Sequence, residues 1–231
     1  MYKRQLDIAA STIDGDLTLT SGNASGITDS GTVTVGGNLI ATTDANSGVI
    51  NMGTMAVTGT VTLTTNGSGN ATLDNGTTAL DIAASTIGGT LTLTSGHASG
   101  IIDSGTVTVG GNLVATTDDN DGVINMGSLA VDGTVALTTN GTGDATVVND
   151  NGLNFAASTV GGALNATATI GNMTDTGALT VAGTTTLVTS ANDATITLDQ
   201  GGHAFTGALL ITTNDTAVSY THLTLPTILL V

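Results

Sequence analysis

Apolar residues fall on alternate positions along most of this chain, in runs that are short and separated by glycine. "TLTSGNASGITDSGTVTVGGNL" (Thr18 to Leu39) returns almost unchanged as "TLTSGHASGIIDSGTVTVGGNL" (Thr92 to Leu113). Alternation with period two marks strands that bury one face. A glycine follows the first run of each unit, at Gly15, Gly37, Gly59, Gly89, Gly111, Gly133, Gly162, Gly183 and Gly207. Two residues before it stands Ile13, Val35, Val57, Ile87, Val109, Val131, Val160, Val181 or Phe205. Two and four residues after it the chain is again mostly Leu, Val, Ala or Ile, with Thr, Asn, Asp and Ser between. The glycine separates two half-buried strands, where a tight bend needs a residue without Cβ. A third short run, such as "GVIN" from Gly48 and from Gly122, completes each unit.

Most steps between these glycines are about 22 residues, and two are near 30. Three short strands and three bends in that length describe one rung of a parallel β-solenoid, each rung hydrogen-bonded to the next at roughly 4.8 Å. The expected fold is therefore all-β, a β-helix of about nine three-strand rungs of about 22 residues. A β-sandwich also has short strands and regular turns. It seldom keeps one glycine-centred motif in register through so many units, and this chain has neither Trp nor Cys to mark its core. The register places Leu93 inward, stacked between Leu63 and Ala115, and Thr92 outward.

A longer period overlies the rung. "LDIAAST" begins at Leu6 and Leu80, and "LNFAAST" at Leu153, which divides the array into long repeats 6–79, 80–152 and 153–217. The first two agree at roughly four positions in five, as after a recent duplication.

Composition changes this picture at the ends. Lys3 and Arg4 are the only cations of their kinds, and Tyr2, Tyr220 and Pro226 the only Tyr and Pro. "YKRQ" and "VSYTHL" resemble translations of opposite strands of the transposase mosaic end used in sequencing libraries. Residues 1–5 and 218–231 are accordingly expected to be adapter-derived and are set aside from the fold. The remaining segment, 6–217, has no capping repeat, so its raw rung edges are expected to favour self-association.

The formal net charge is −16 and every acid is Asp. Without cations in the repeats, neutralising phosphates or anionic lipid headgroups is not available to this chain, which argues against nucleic-acid and membrane-surface partners. No apolar run is long enough to span a bilayer. Helix is disfavoured by the abundance of Thr, Val, Gly, Asn and Asp. Disorder is disfavoured by low charge and many β-branched residues.

Candidate chemistry is sparse. Thr stands five residues after the marker glycine at Thr20, Thr42, Thr64, Thr94, Thr116, Thr138, Thr167 and Thr212. Such a file could match an ice lattice, but the neighbouring file is interrupted by Ile40, Val114, Ala136 and Leu210, so a stacked Thr ladder chosen for β-propensity is the expectation. Asp118, Asp119 and Asp121 share one loop and could hold calcium; the counterpart loop keeps only Asp44, and Asp is an ordinary bend residue. His97 and His203 have no companion with metal-ligand or base spacing. Asn-x-Ser/Thr triplets at Asn23, Asn70 and Asn165 are expected by chance in so Asn- and Thr-rich a chain. No catalytic, cofactor-binding or metal residue is assigned, and no cofactor is expected.

"GDLTLTSGN" (Gly15 to Asn23), "GGNLIATT" and "GGTLTLTSG" resemble the repeats of filamentous-haemagglutinin-type adhesins and other bacterial β-strand-repeat exoproteins. The resemblance spans the whole array, concerns only the shaft of such proteins and transfers no binding residue. It implies a right-handed parallel β-helix, secretion to the bacterial surface at the outer membrane, and roles in attachment or biofilm, with an unidentified surface glycan or protein as partner. The expected function is a non-enzymatic structural or adhesive shaft. A glycan-active β-helix enzyme and an ice- or calcium-binding solenoid are the alternatives.

Overall fold

In a computed structural model of the chain, residues 5–44 and 47–214 are described, and every regular element among them is a β-strand. All the strand pairings are parallel. Ladder partners lie 19 to 24 residues apart, as in Ala145–Leu164, Leu91–Leu113 and Thr185–Leu209. Two long ladders each run through ten stacked strands, which are nine rung-to-rung steps. The expected β-solenoid and its spacing are thus present.

The inward positions deliver the core the alternation predicted. Val35, Val57, Ile87, Val109, Leu39, Val61, Leu91 and Leu113 are all fully buried, and one apolar cluster runs the length of the array. At roughly 25 cal/mol per Å² of buried apolar surface, this continuous file is the main favourable term. Leu93 is buried and Thr92 half-exposed, as the register requires.

Each turn consists of two unlike halves. One is split, made of two short strands joined by a bend, such as Leu6–Ile8 with Ser11–Ile13. The other is straight, one longer strand such as Leu17–Ser21. Through the first three turns, split stacks on split and straight on straight. The chain then places two straight halves in succession, Thr60–Thr64 followed by Ala71–Asp74. The second sits over the split half Ile50–Met52 and Met55–Val57. The next split half, Leu80–Ile82 with Ser85–Ile87, lands on the straight strand Thr60–Thr64. From there the two kinds of half have exchanged sides. The exchange recurs in the second long repeat, where Thr134–Thr138 is followed by Ala145–Asn149 and the split half at Leu153–Phe155 and Ser158–Val160 falls on Thr134–Thr138.

A long repeat is therefore seven half-turns, three and a half turns, and each one rotates the sequence pattern by half a turn. This corrects the single register expected from the glycines. Gly37 stacks on Gly15 and Gly59 on Gly37, but the Gly89 N–H donates to the Gly69 carbonyl and the Gly162 N–H to that of Gly143. Leu93 consequently stacks on Leu73 and Ala115, and Leu63 lies on the other side. The steps near 30 residues are one turn plus an extra half-turn.

The expected adapter-derived ends, 1–5 and 218–231, lie outside the described residues apart from Gln5, whose Nε2 donates to Thr28 Oγ1 at 3.0 Å.

Candidate functional site

Three side chains, each repeated at both exchanges, let unlike halves stack. Asn75 is fully buried; its Oδ1 accepts the Val57 N–H at 2.8 Å and its Nδ2 donates to the Val57 carbonyl at 3.0 Å. The side-chain amide replaces the peptide that a straight half lacks opposite the second short strand. Asn149 does the same to Val131, at 2.8 and 3.0 Å. Ser85 solves the converse problem. The split half carries one residue more than the straight strand beneath it, and the Ser85 hydroxyl accepts the Leu63 N–H at 3.0 Å while donating to the Ala83 carbonyl. Ser158 serves Leu137 and Ala156 in the same way. At the adjoining corner the Thr65 hydroxyl accepts from Gly88 N and donates to Gly69 O, and Thr139 repeats this with Gly161 and Gly143. All six side chains are buried, so each bond removes an otherwise unsatisfied backbone group. A Cβ at Gly88 would run into the Gly67 carbonyl, and one at Gly161 into that of Gly141, which explains why only glycine occupies these two corners.

About half of the described carboxylates are likewise spent on the backbone. Asp29 accepts the N–H groups of Gly53 and Thr54 from the next turn, each at 2.8 Å, and the Thr54 hydroxyl as well. Asp103 takes Gly127 and Ser128, and Asp175 takes Asp199 and Gln200. Asp16, Asn38, Asn70, Asn112, Asp144 and Asn172 each cap one N–H of the following turn. The acids thus act as rung-to-rung clasps, which is the chemistry of bends extended along a stack.

The residues singled out in the sequence do not converge. Among the described residues no group of three or more His, Asp, Glu or Cys side chains is arranged to hold a metal. In the loop of Asp118, Asp119 and Asp121, Asp119 accepts from Asn120 N and Asp121 from Thr142 N, both through Oδ1. Asn120 and Asp121 adopt left-handed backbone there, with φ of 52° and 54°, as Asn and Asp tolerate best. His97 Nδ1 accepts the Ser99 N–H in a local turn. Asn23 likewise accepts from Ser25 N, Asn70 caps Thr90, and Asn165 stacks between Thr146 and Thr186.

His203 is the one titratable side chain whose surroundings the sequence did not suggest. It is buried, its Nε2 lies 2.9 Å from Asp175 Oδ2, and its Nδ1 accepts the Leu179 N–H at 3.0 Å. Its ring stacks on Phe205 with centroids 5.8 Å apart. The Nδ1 acceptor bond fixes the proton of the neutral ring on Nε2, facing the carboxylate.

The Thr file is reorganised by the exchanges. One ladder runs Thr20, Thr42, Thr64, Thr86, Thr108 on one side, and another Thr94, Thr116, Thr138, Thr159, Thr180 on the opposite side. Thr167 pairs with Val148 and Val188 instead, and Thr212 with Val188. Each five-residue ladder passes unbroken through an exchange, because both kinds of half offer Thr at the outward position. Beside them the second file is broken by Ile40 on one side and by Val114 and Ala136 on the other.

No curated protein and no solved structure matches the sequence. A family profile described as "Repeats of unknown function (DUF5649)" matches residues 3–49, 68–121 and 142–212. The second and third segments begin just before the extra straight halves at Ala71 and Ala145. Matched over more than half its length, the chain belongs to this family of repeats.

Proposed function

We propose that this chain is a stretch of the shaft of a secreted or surface-anchored bacterial exoprotein, displayed at the outer-membrane surface. It serves attachment and biofilm cohesion by length and presentation, without catalysis. The observation that carries this reading is the uninterrupted ladder. Every long repeat hands the next one the same cross-section, with the halves exchanged by Asn75, Ser85 and Thr65 or their counterparts. Repeats can therefore be added without altering the core, and stability grows with nearest-neighbour stacking. An acidic surface without Lys or Arg among the described residues keeps such a rod soluble and self-repelling. Resemblance to filamentous-haemagglutinin-type repeats supports the same reading, and surface glycan or protein is the partner it implies.

The test is to display arrays of two, four and six long repeats on a bacterial surface and image them. Each added long repeat should lengthen the rod by about 17 Å, three and a half turns at about 4.8 Å, and raise retention of cells on a glycan- or protein-coated surface. Rods of unchanged length, or retention indifferent to the array, would contradict the proposal.

A further inference from the structure

The exchanges leave clefts as well as contacts. Beside the second one, a cleft of about 340 Å³ is bounded by Asp132, Asn151, Asn154, Asn172 and Thr174. Another of about 340 Å³ flanks the first, bounded by Thr54, Asp74, Thr77 and Thr78 among others. Thr77 and Asn151 occupy the loops that close the two extra straight halves, so each exchange loop walls a cleft.

An unsatisfied atom follows each exchange, and at the second it belongs to a residue of the cleft wall, Asn154. Among the described residues, Asn154 Oδ1 is buried without a hydrogen-bond partner, and so is Asp81 Oδ1. These are the second residues of "LNFAAST" and "LDIAAST", the same repeat position, each in the first short strand after an exchange. Asp7 holds that position in the first long repeat, and there Thr28 Oγ1 donates to its Oδ1 at 3.3 Å. The orphaned oxygen thus accompanies the exchange. A buried acceptor left unpaired is unfavourable, so a donor arriving from outside is favoured.

We infer that the cleft around Asn154 is a ligand subsite that takes a neutral, hydroxyl-rich saccharide. Its lining supplies amides, a carboxylate and a hydroxyl. Asp132 Oδ1 already accepts from Asn151 Nδ2 at 2.8 Å, which orients both for a further partner. No cation lines the cleft, which disfavours phosphate, sulfate and carboxylate groups. A metal is not served, since no three ligating side chains converge. Sugar hydroxyls both donate to Asn154 Oδ1 and accept from amide N–H groups. Without an aromatic stacking platform the subsite binds weakly.

This rests on the shaft reading and adds a site to it, so the test has two arms. The full chain is titrated with maltotriose, cellotriose, chitotriose and a sialylated trisaccharide, following side-chain amide NMR signals. One of the neutral trimers should shift the Asn151, Asn154 and Asn172 signals saturably in the millimolar range, and the sialylated one should not. Asn154→Leu should weaken that binding at least tenfold, with amide signals of the Thr ladders unchanged as proof of fold. Absence of saturable shifts, shifts spread along the ladders, or full binding by Asn154→Leu would overturn the subsite. In the second arm, beads coated with either chain are tested for retention on immobilised glycan and on cells. Equal retention of both overturns the subsite and leaves the shaft standing; retention of neither overturns both; loss in the variant alone supports both.

Discussion

Asn75 holds Val57 by both ends of its side-chain amide, accepting its N–H at 2.8 Å and donating to its carbonyl at 3.0 Å, and Asn149 holds Val131 by the same two bonds. A single side chain thereby stands in for a peptide unit in the ladder. The consequence is severe selectivity. Asn75→Leu leaves both Val57 groups buried and unpaired, at about 2–5 kcal/mol. Asn75→Asp keeps the acceptor but removes the donor and buries a charge, so it should be no better. Chemical denaturation of the full chain measures both, and a loss below 1 kcal/mol for either would show that the amide is not needed.

The serine of "AAST" should matter only where a split half lies on a straight one. Ser85→Ala strands the Leu63 N–H and should cost about 1–3 kcal/mol. Ser11→Ala breaks only a local bond to the Ala9 carbonyl and should cost a few tenths. Hydrogen exchange at Leu63 resolves the difference: faster exchange in Ser85→Ala and no change in Ser11→Ala.

Alternation predicts a third contrast. Leu93→Asp buries a carboxylate between Leu73 and Ala115, with no cation near, and should destabilise by several kcal/mol. Thr92→Asp, one residue away and half-exposed, should cost about 1 kcal/mol or less. Limited proteolysis near residues 85–100 should cut the first variant readily and the second hardly at all.

Much of this was legible in the sequence, for a physical reason. Period-two alternation and glycine spacing report which way each residue faces, and Val35, Leu39, Leu93 and Thr92 all face as that pattern requires. Which turn a residue stacks on is a different question. It depends on how many half-turns intervene, and "ATLDN" looks like any other short strand. The 30-residue steps carried the signal, being one turn plus a half, and the Asn at the end of each extra straight half, Asn75 or Asn149, carried its chemistry. His203 against Asp175 was hidden for a similar reason, since the two lie one turn apart, a distance fixed only once the register is known. The calcium question at Asp118, Asp119 and Asp121 could not be read from composition, because a carboxylate capping an N–H and one awaiting a cation look alike in sequence.

The exchange also predicts the effect of its own removal. Deleting residues 71–79 takes out the extra straight half and places Leu80–Ile87 over Ile50–Val57, split on split. The chain should still fold as a solenoid, since like halves stack without the special side chains. Leu93 would then lie on Leu63. Retained β-structure with an unfolding free energy unchanged to within about 2 kcal/mol is expected; an unfolded product would mean that the exchange is indispensable to the array.

The half-turn itself is tested most directly by proximity. The chain has no cysteine, so each pair introduced is read without background. Thr64 and Thr86 are ladder neighbours, whereas Thr94, its counterpart by glycine spacing, pairs with Asp74 and Thr116 on the other side. With a short bis-thiosulfonate linker, Thr64→Cys with Thr86→Cys should cross-link within the folded chain, and Thr64→Cys with Thr94→Cys should not. Efficient linkage of residues 64 and 94, with none between 64 and 86, would contradict the exchange of sides.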